Sequence, residues 1–336
     1  MDDMLENMAA RLFADRSTPA LIRAVEAGTG RDQFTGLWQE IVATGLCDSL
    51  VDEGKGGSGL GFAEILPVIL LSGRFILPLA LAETMVARAL LADAGVSVPD
   101  GPIVLATAVS AGAADRIETG VIPLAATAGF ALIDDGAGCD LFALNPADLI
   151  RAPGRGSLSA QVSVARSTSL ARLPTPLVSL RVVAALLHAA KLSGAMKRLL
   201  AMTVDYGNTR VQFGRPIGKF QAIQHQLAVM AEQVSAAAIA VEAASPETGY
   251  LPDPLRVAVA KERTSSAAAI VGAIAPAVHG AMGISEEYDL QLFTRRLQDW
   301  RVADGSESYW SGLLGRAVLA EKSGSVIDFI RTRLAT

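Results

Sequence analysis

Between two long apolar-striped segments lies Tyr206-Gly-Asn-Thr-Arg-Val-Gln-Phe-Gly-Arg-Pro-Ile-Gly-Lys-Phe-Gln-Ala-Ile-Gln-His225, a stretch dense in glycine and polar residues. Upstream, residues 192–204 read as helix, with Leu199, Leu200, Met202 and Val204 apolar and Lys197 and Arg198 charged. Downstream, Ile223, Leu227, Met230 and Val234 recur at three- and four-residue steps, which is one helix face. Gly214 and Gly218 permit turn dihedrals, and Pro216 cannot continue a helix. The stretch therefore predicts an antiparallel helix pair with a short polar hinge that holds Arg210, Gln212 and Phe213 beside the second helix. A helix start offers free N–H groups and a positive dipole end, and Arg210 adds a forked donor suited to phosphate oxygens. Two readings stay open: an anion site, or a hairpin whose Arg210 meets a carboxylate.

The chain has 336 residues, of which 51% are hydrophobic and 19% charged, as expected of a helix-rich, well-buried protein of two or three domains. A net charge of −5 without a dense basic run gives no reason to expect a nucleic-acid partner. Cys47 and Cys139 lie far apart, so no disulfide framework or metal site is implied, and a cytoplasmic location is the default. The acidic start lacks a signal peptide's pattern. Residues 65–81 are apolar but broken by Pro67, Pro78 and Ser72-Gly-Arg74, which predicts two buried helices and no membrane span.

Residues 1–98 read as a helical domain: Leu5, Met8, Ala9 and Leu12 share a face, and Trp38, Ile41 and Val42 open a further run. The glycine-rich segment 52–59 invites a phosphate-cradle reading, but matches neither a Walker pattern nor the strand–Gly-x-Gly-x-x-Gly–helix context. Residues 99–176 carry short β-prone runs at 103–105, 121–124, 130–133, 141–144 and 161–164, with a turn at Asp134-Asp-Gly136. These predict a small antiparallel β domain. Residues 177–336 return to helices near 180–209, 220–244, 255–277, 285–299 and 309–319, with a coda at 325–334, and suggest an up-and-down bundle. The fold class is mainly α with a small β domain.

Arg210-Val-Gln-Phe-Gly-Arg-Pro-Ile-Gly-Lys-Phe-Gln221, followed by Gln224-His225, closely resembles the signature of the acyl-CoA dehydrogenase family. The resemblance implies an N-terminal helical domain, a middle β domain and a C-terminal four-helix bundle. It also implies that Arg210, Gln212 and Phe213 contact the pyrophosphate and adenosine half of an FAD held mainly by a neighbouring subunit, with Gln221 starting the next helix. Trp38, Gly45-Leu46 and the Glu53–Gly59 loop match the family's N-terminal landmarks. Val278-His-Gly-Ala-Met-Gly-Ile284 looks like its close-backbone segment near the FAD diphosphate: His279, Gly280 and Gly283 match, while Ala277 and Ala281 replace a glutamine and a glycine. Read on their own, the glycines mark a helix–helix turn and His279 a structural residue.

Ala303-Asp-Gly-Ser306 occupies the position of the family's base-Gly-Thr/Ser segment, which makes Asp304 the candidate base and sets Ser306 beside the cofactor. An acyl-CoA thioester loses its α-proton to a base as its β-hydrogen leaves as hydride, so a carboxylate suits that position. The alternative is that Asp304 N-caps the last helix. The family's other base position, near residues 183–185, holds no carboxylate here, and Arg181 lies one turn from where an arginine often stands. Arg295, Arg296, Asp299 and Arg301 read as a solvated or inter-subunit charged face.

The middle domain departs from the family. Residues 108–115 are at best a remnant of the "Thr-Glu-Pro-x-x-Gly-Ser-Asp" loop, and no tryptophan lies between Trp38 and Trp300 to serve the flavin-ring segment. This reduced β domain resembles the short subunits of bacterial heteromeric dehydrogenases that act on steroid side-chain CoA thioesters. The resemblance thus implies an FAD-dependent acyl-CoA dehydrogenase, as a homodimer, homotetramer or heterotetramer, passing electrons to an acceptor protein. The rival reading is a non-catalytic subunit that completes a partner's FAD site. A third keeps flavin and aspartate but changes the substrate, as in nitroalkane oxidases.

Overall fold

The computed structural model of the chain describes residues 2–111, 115–154, 156–174, 176–321 and 324–334. Its axis is α6 (Leu180–Thr209), a helix of 30 residues, about 45 Å long at 1.5 Å per residue. The start of α6 is capped twice. The Ser179 hydroxyl accepts from the Arg181 N–H at 3.3 Å, and the buried Asp134 carboxylate accepts from the Ser179 hydroxyl and the Leu180 N–H. Two apolar cores meet along this helix. Residues 180–190 pack with the N-terminal helices and the sheet, and residues 192–199 with the rest of the bundle.

Five helices make the N-terminal part: α1 (Asp2–Arg16), α2 (Pro19–Glu26), α3 (Arg31–Ala43), α4 (Phe62–Arg74) and α5 (Leu81–Asp93). Of the two buried helices expected over 65–81, α4 is the first, while residues 75–80 form turns and the next helix, α5, starts only at Leu81. Helix α4 crosses α6 with backbones in contact. A Cβ on Gly73 would lie 2.0 Å from the Lys191 carbonyl oxygen, and one on Gly194 would lie 1.9 Å from that of Leu70. Only glycine permits this approach, and it fixes Lys191 against the N-terminal helices.

The strands β1 (Ile103–Ala111), β2 (Arg116–Ile122), β3 (Phe130–Asp134), β4 (Cys139–Ala143), β5 (Leu149–Arg151), β6 (Ala160–Ala165) and β7 (Ala171–Leu173) form one sheet in the order β5-β6-β2-β1-β3-β4-β7. One expectation is corrected here: β1 and β3 run parallel, with Leu105 opposite Leu132. The chain leaves β2 through a 3-10 turn at Ala125–Thr127 and enters β3 beside β1 in the same direction. Alternating apolar residues mark strands but carry no direction. Of the loop remnant at 108–115, residues 112–114 lie outside the described residues.

In the C-terminal part α7 (Gln221–Ala244), α8 (Pro254–His279) and α9 (Leu290–Val302) pack with α6 as a bundle, α10 (Glu307–Ala320) lies on α8, and α11 (Val326–Arg333) follows. Between α6 and α7 the strands β8 (Val211–Gln212) and β9 (Arg215–Pro216) pair as a hairpin. By length and composition alone α7 and α8 could cross a membrane, but here both pack against α6.

Candidate active site

A cavity of about 400 Å³ opens between the sheet and the bundle, lined among others by Thr107 of β1, Val121 of β2, Arg181 of α6, Asp299 of α9, Asp304 and Gly305. Asp304 reaches it from a tight turn after α9. Its backbone is left-handed, with φ +57°, a conformation that costs a non-glycine residue about 1–3 kcal/mol. Gly305 follows at φ +122°, where a Cβ would lie 2.8 Å from Trp310 Nε1. Lys261 of α8 holds this turn. Its buried ammonium donates to the carbonyl oxygens of Trp300 at 3.0 Å and Arg301 at 2.7 Å, and reaches that of Gly305 at 3.4 Å. The Trp300 and Arg301 carbonyls belong to the last turn of α9, where a cation is favoured. Burial pushes the Lys261 ammonium down to about 8, against the pull of Asp304 and Glu307.

The alternative that Asp304 caps the last helix is not what the fold uses. The N-cap of α10 is Ser306, whose carbonyl accepts from the Trp310 N–H at 3.2 Å. The Asp304 carboxylate turns instead toward α6. Its Oδ2 lies 2.8 Å from His188 Nδ1. His188 Nε2 lies 3.6 Å from Glu83 Oε1 of α5, and Glu83 is ion-paired with Lys191 of α6. All but Asp304 are buried, and Asp304 keeps 16% of its side chain exposed. Burial first, then the Lys191 charge, hold the His188 ring below the usual imidazole value despite Asp304 and Glu83. Burial alone would raise the Glu83 carboxyl, but the Lys191 ammonium and His188 outweigh it and hold it below the usual range. A polar seam thus runs from the cavity into the boundary between the two apolar cores.

The motif residues lie at the other end of α6. Arg210 is its C-cap. In the hairpin Phe213 and Gly214 both have positive φ, +52° and +75°, the pattern of a type I′ turn. Phenylalanine is a strained choice there, and its side chain is 91% exposed. Arg215 stacks on Phe220, its guanidinium carbon 4.3 Å from the ring centroid. Gln221 opens α7 on the exposed surface, and its N-cap Phe220 has no side-chain oxygen to satisfy the first N–H groups. Among the described residues no hydrogen-bond or ion-pair partner faces the Arg210 guanidinium, so the carboxylate-paired hairpin is not the observed arrangement.

His279 packs against the last turn of α6. Its ring stacks on Tyr206 at 4.3 Å and its Nδ1–H donates to the Ala275 carbonyl at 2.7 Å. Burial holds it below the usual imidazole value, and its ring serves the packing. Gly280 has φ +61° and ψ −137°, a region open almost only to glycine.

The structure therefore gathers Arg210, Gln212, Phe213 and Gln221 at one end of α6, with His279 and Gly280 beside it, and Asp304 and Ser306 at the other. The α9 charges were expected on a solvated or inter-subunit charged face, and the structure pairs Arg295, Arg296 and Arg301 within the chain. Arg296 is 2% exposed and pairs with Glu26 of α2 at 2.8 Å, Arg295 pairs with the same Glu26, and Arg301 pairs with Glu307. Burial raises the Asp299 carboxyl beside the cavity, with Arg296 opposing. Glu83, His188, Lys191 and Lys261 escape sequence reasoning. The signal is slight: single charged or titratable residues inside alanine- and leucine-rich runs.

The arrangement suits proton transfer at Asp304, a carboxylate at the wall of the cavity. Thr107 is among the residues that line the cavity, and its Oγ1 is buried without a hydrogen-bond partner among the described residues. At the other end stand an unpaired guanidinium and a free helix start.

Comparisons with known proteins agree with this layout. The sequence pattern described as acyl-CoA dehydrogenase, C-terminal domain, matches residues 182–319. The chain is 30% identical over 302 residues to acyl-CoA dehydrogenase IpdE2 of Mycobacterium tuberculosis, covering 87% of this chain and 89% of that protein. Among solved structures it resembles the Tcur3481-Tcur3483 steroid ACAD G363A variant, with TM-score 0.78, 24% identity, and 95% of this chain and 97% of that one covered. It also resembles the ChsE4-ChsE5 complex of Mycobacterium tuberculosis, with TM-score 0.75, 20% identity, and 96% and 98% covered. The fold is thus that of the flavin-dependent acyl-CoA dehydrogenases. The chain belongs to the acyl-CoA dehydrogenase family, and is a flavin oxidoreductase of that type.

Proposed function

We propose that the chain carries out α,β-dehydrogenation of an acyl-CoA thioester with FAD, and that each FAD is shared between subunits. One observation carries this reading: the residues suited to the reacting end and those suited to the adenosine end lie far apart along α6, since Asp304 meets that helix at His188 and the hairpin begins after Thr209, about 32 Å further on at 1.5 Å per residue. One dinucleotide cannot touch both within a single chain. The cavity end would receive the flavin ring against Thr107, with Asp304 opposite, and Ser306 would stand beside the cofactor. Arg210, Gln212, Phe213 and Gln221 would receive the pyrophosphate and adenosine of the FAD seated in a neighbour, with Gly280 giving the backbone room and His279 fixing that turn. FAD, when bound, supplies the acceptor for the β-hydrogen as hydride.

Asp304 takes the α-proton. Its carboxylate stands at the cavity wall, its backbone is pinned by Lys261, and one oxygen stays free of His188. The neighbouring subunit is either a second copy or a different dehydrogenase subunit. Exposed apolar side chains on α7 and α8, such as Val229, Ile239 and Ile270, support association. The likeness to proteins described as a steroid ACAD and as a two-component complex favours a heteromer acting on a ring-bearing acyl-CoA. Co-expression with neighbouring dehydrogenase subunits tests the reading: a yellow complex that forms enoyl-CoA is expected, and Asp304→Asn should keep the colour and lose the turnover. A colourless complex, or a yellow one whose Asp304→Asn variant turns over unchanged, rejects it. A complex in which only the partner's base matters identifies this chain as the subunit that completes the partner's FAD site.

A further inference from the structure

We propose that His188 is a positioning residue for Asp304, acting as a neutral imidazole whose single proton sits on Nδ1. The inference rests on the reading of Asp304 as the base and extends it into the protein interior. The geometry is specific. His188 Nδ1 and Asp304 Oδ2 are 2.8 Å apart, so the ring can donate to one carboxylate oxygen and leave the other toward the cavity. A neutral imidazole has one N–H and one lone pair. With the proton on Nδ1, Nε2 has nothing to donate, and Nε2 is indeed a buried atom without a hydrogen-bond partner.

What lies behind the ring fixes this choice. Glu83 is the group facing Nε2, at 3.6 Å, and the Glu83 oxygen nearest the ring is engaged by Lys191. Lys191 is in turn locked by the glycine contact between α4 and α6. The ion pair is internally neutral and does not need the ring's proton. Asp304, by contrast, is an acceptor on a strained left-handed backbone, and an N–H from a rigid helix holds its side chain in one direction. The partner behind a histidine determines which nitrogen carries the proton; here the determining partner is Asp304 on the cavity side. His188 does not itself line the cavity, so its effect on the cavity passes through its contact with the lining residue Asp304.

Two measurements on the full-length flavoprotein, together with any subunit that co-purifies, test this. The first is long-range proton–nitrogen NMR of ¹⁵N-histidine-labelled protein at pH 7. The chain has three histidines, and His188→Asn identifies the His188 signals by difference. A neutral ring protonated on Nδ1 is expected, and Asp304→Ala should shift it toward the Nε2–H form. A ring protonated on Nε2 in the unsubstituted protein overturns the proposal. The second is steady-state kinetics. His188→Leu should lower kcat about 10- to 100-fold, the scale of a misplacement of about 1 Å, with KM and flavin content unchanged within about twofold. His188→Asn, which keeps a donor near Nδ1, should recover most of the loss. In an Asp304→Asn background His188→Leu should add nothing. An unchanged kcat in His188→Leu, or a loss that persists equally in the Asp304→Asn background, overturns the positioning role while leaving the base reading intact. Unchanged turnover in Asp304→Asn alone removes both.

Discussion

At its C-terminal end α6 hands over to a hairpin whose Phe213 is 91% exposed, and its C-cap Arg210 faces no side-chain partner among the described residues. Toward its N-terminal end the same helix contributes His188 and Lys191, each 3% exposed, to a seam that includes Glu83 and Asp304. The first end is contiguous in sequence and unfinished in space. The second is buried and drawn from three separate segments, α5, α6 and the turn after α9. The contrast assigns different work to each: exposed groups on a rigid hairpin are suited to something brought from outside, while buried groups in contact with one another hold a reactive carboxylate still. Buried polar groups that find partners stabilise and orient, and exposed ones without partners recruit.

Changes at either end should separate these roles. The largest effect belongs to Asp304→Asn. It should reduce turnover by about 10²- to 10⁴-fold, the usual contribution of a general base, with flavin absorbance retained. Arg210→Ala comes next. Losing a charge-assisted contact to a pyrophosphate costs about 1.5–3 kcal/mol, so FAD affinity should fall roughly 10- to 150-fold. The melting temperature of the flavin-free protein should hardly move, because the side chain is exposed. Equal loss of flavin in both variants would erase the distinction between the ends.

Gly194→Ala strikes the support behind the buried end. A Cβ there meets the Leu70 carbonyl oxygen at 1.9 Å, so the loss of stability should reach or exceed the about 1–3 kcal/mol usual for overpacking, read as a lower denaturation midpoint. His188 adds a pH dependence. Its folded value lies below the ordinary 6.5, so the unfolded chain binds more protons between the two. Its contribution to stability is therefore full above about pH 6.5 and is lost as pH falls through the folded value. Melting curves between pH 7 and 5 should fall more steeply for the unsubstituted protein than for His188→Leu. The smallest effect is Phe213→Gly, which relieves the positive φ. It should raise stability by at most about 1 kcal/mol while weakening FAD binding.

The same contrast explains what the sequence made legible. Helices α6 to α11 follow from local periodicity and from Gly and Pro at their ends, and the hairpin motif is a continuous string. The family, the helix–sheet–bundle order and the hairpin between α6 and α7 were therefore within reach of the sequence. Strand direction was not: β1 and β3 pair in parallel because of the path the chain takes between them. Nor was the seam. Glu83, His188, Lys191 and Lys261 are single residues in apolar helices, and it takes the packing of α5 against α6 and of α8 against α9 to bring them to the neighbourhood of Asp304. The α9 charges misled for the same reason, since the burial of Arg296 depends on Glu26 of α2.

The central claim is that the two ends of α6 serve different flavins. Native mass spectrometry across a dilution series measures this directly, by weighing each species that carries FAD. The account predicts that FAD is found only in oligomers, whether with a second copy or with a different subunit, and is absent from the 34.9 kDa monomer. A monomer carrying one FAD at the stoichiometry of the oligomer would contradict it.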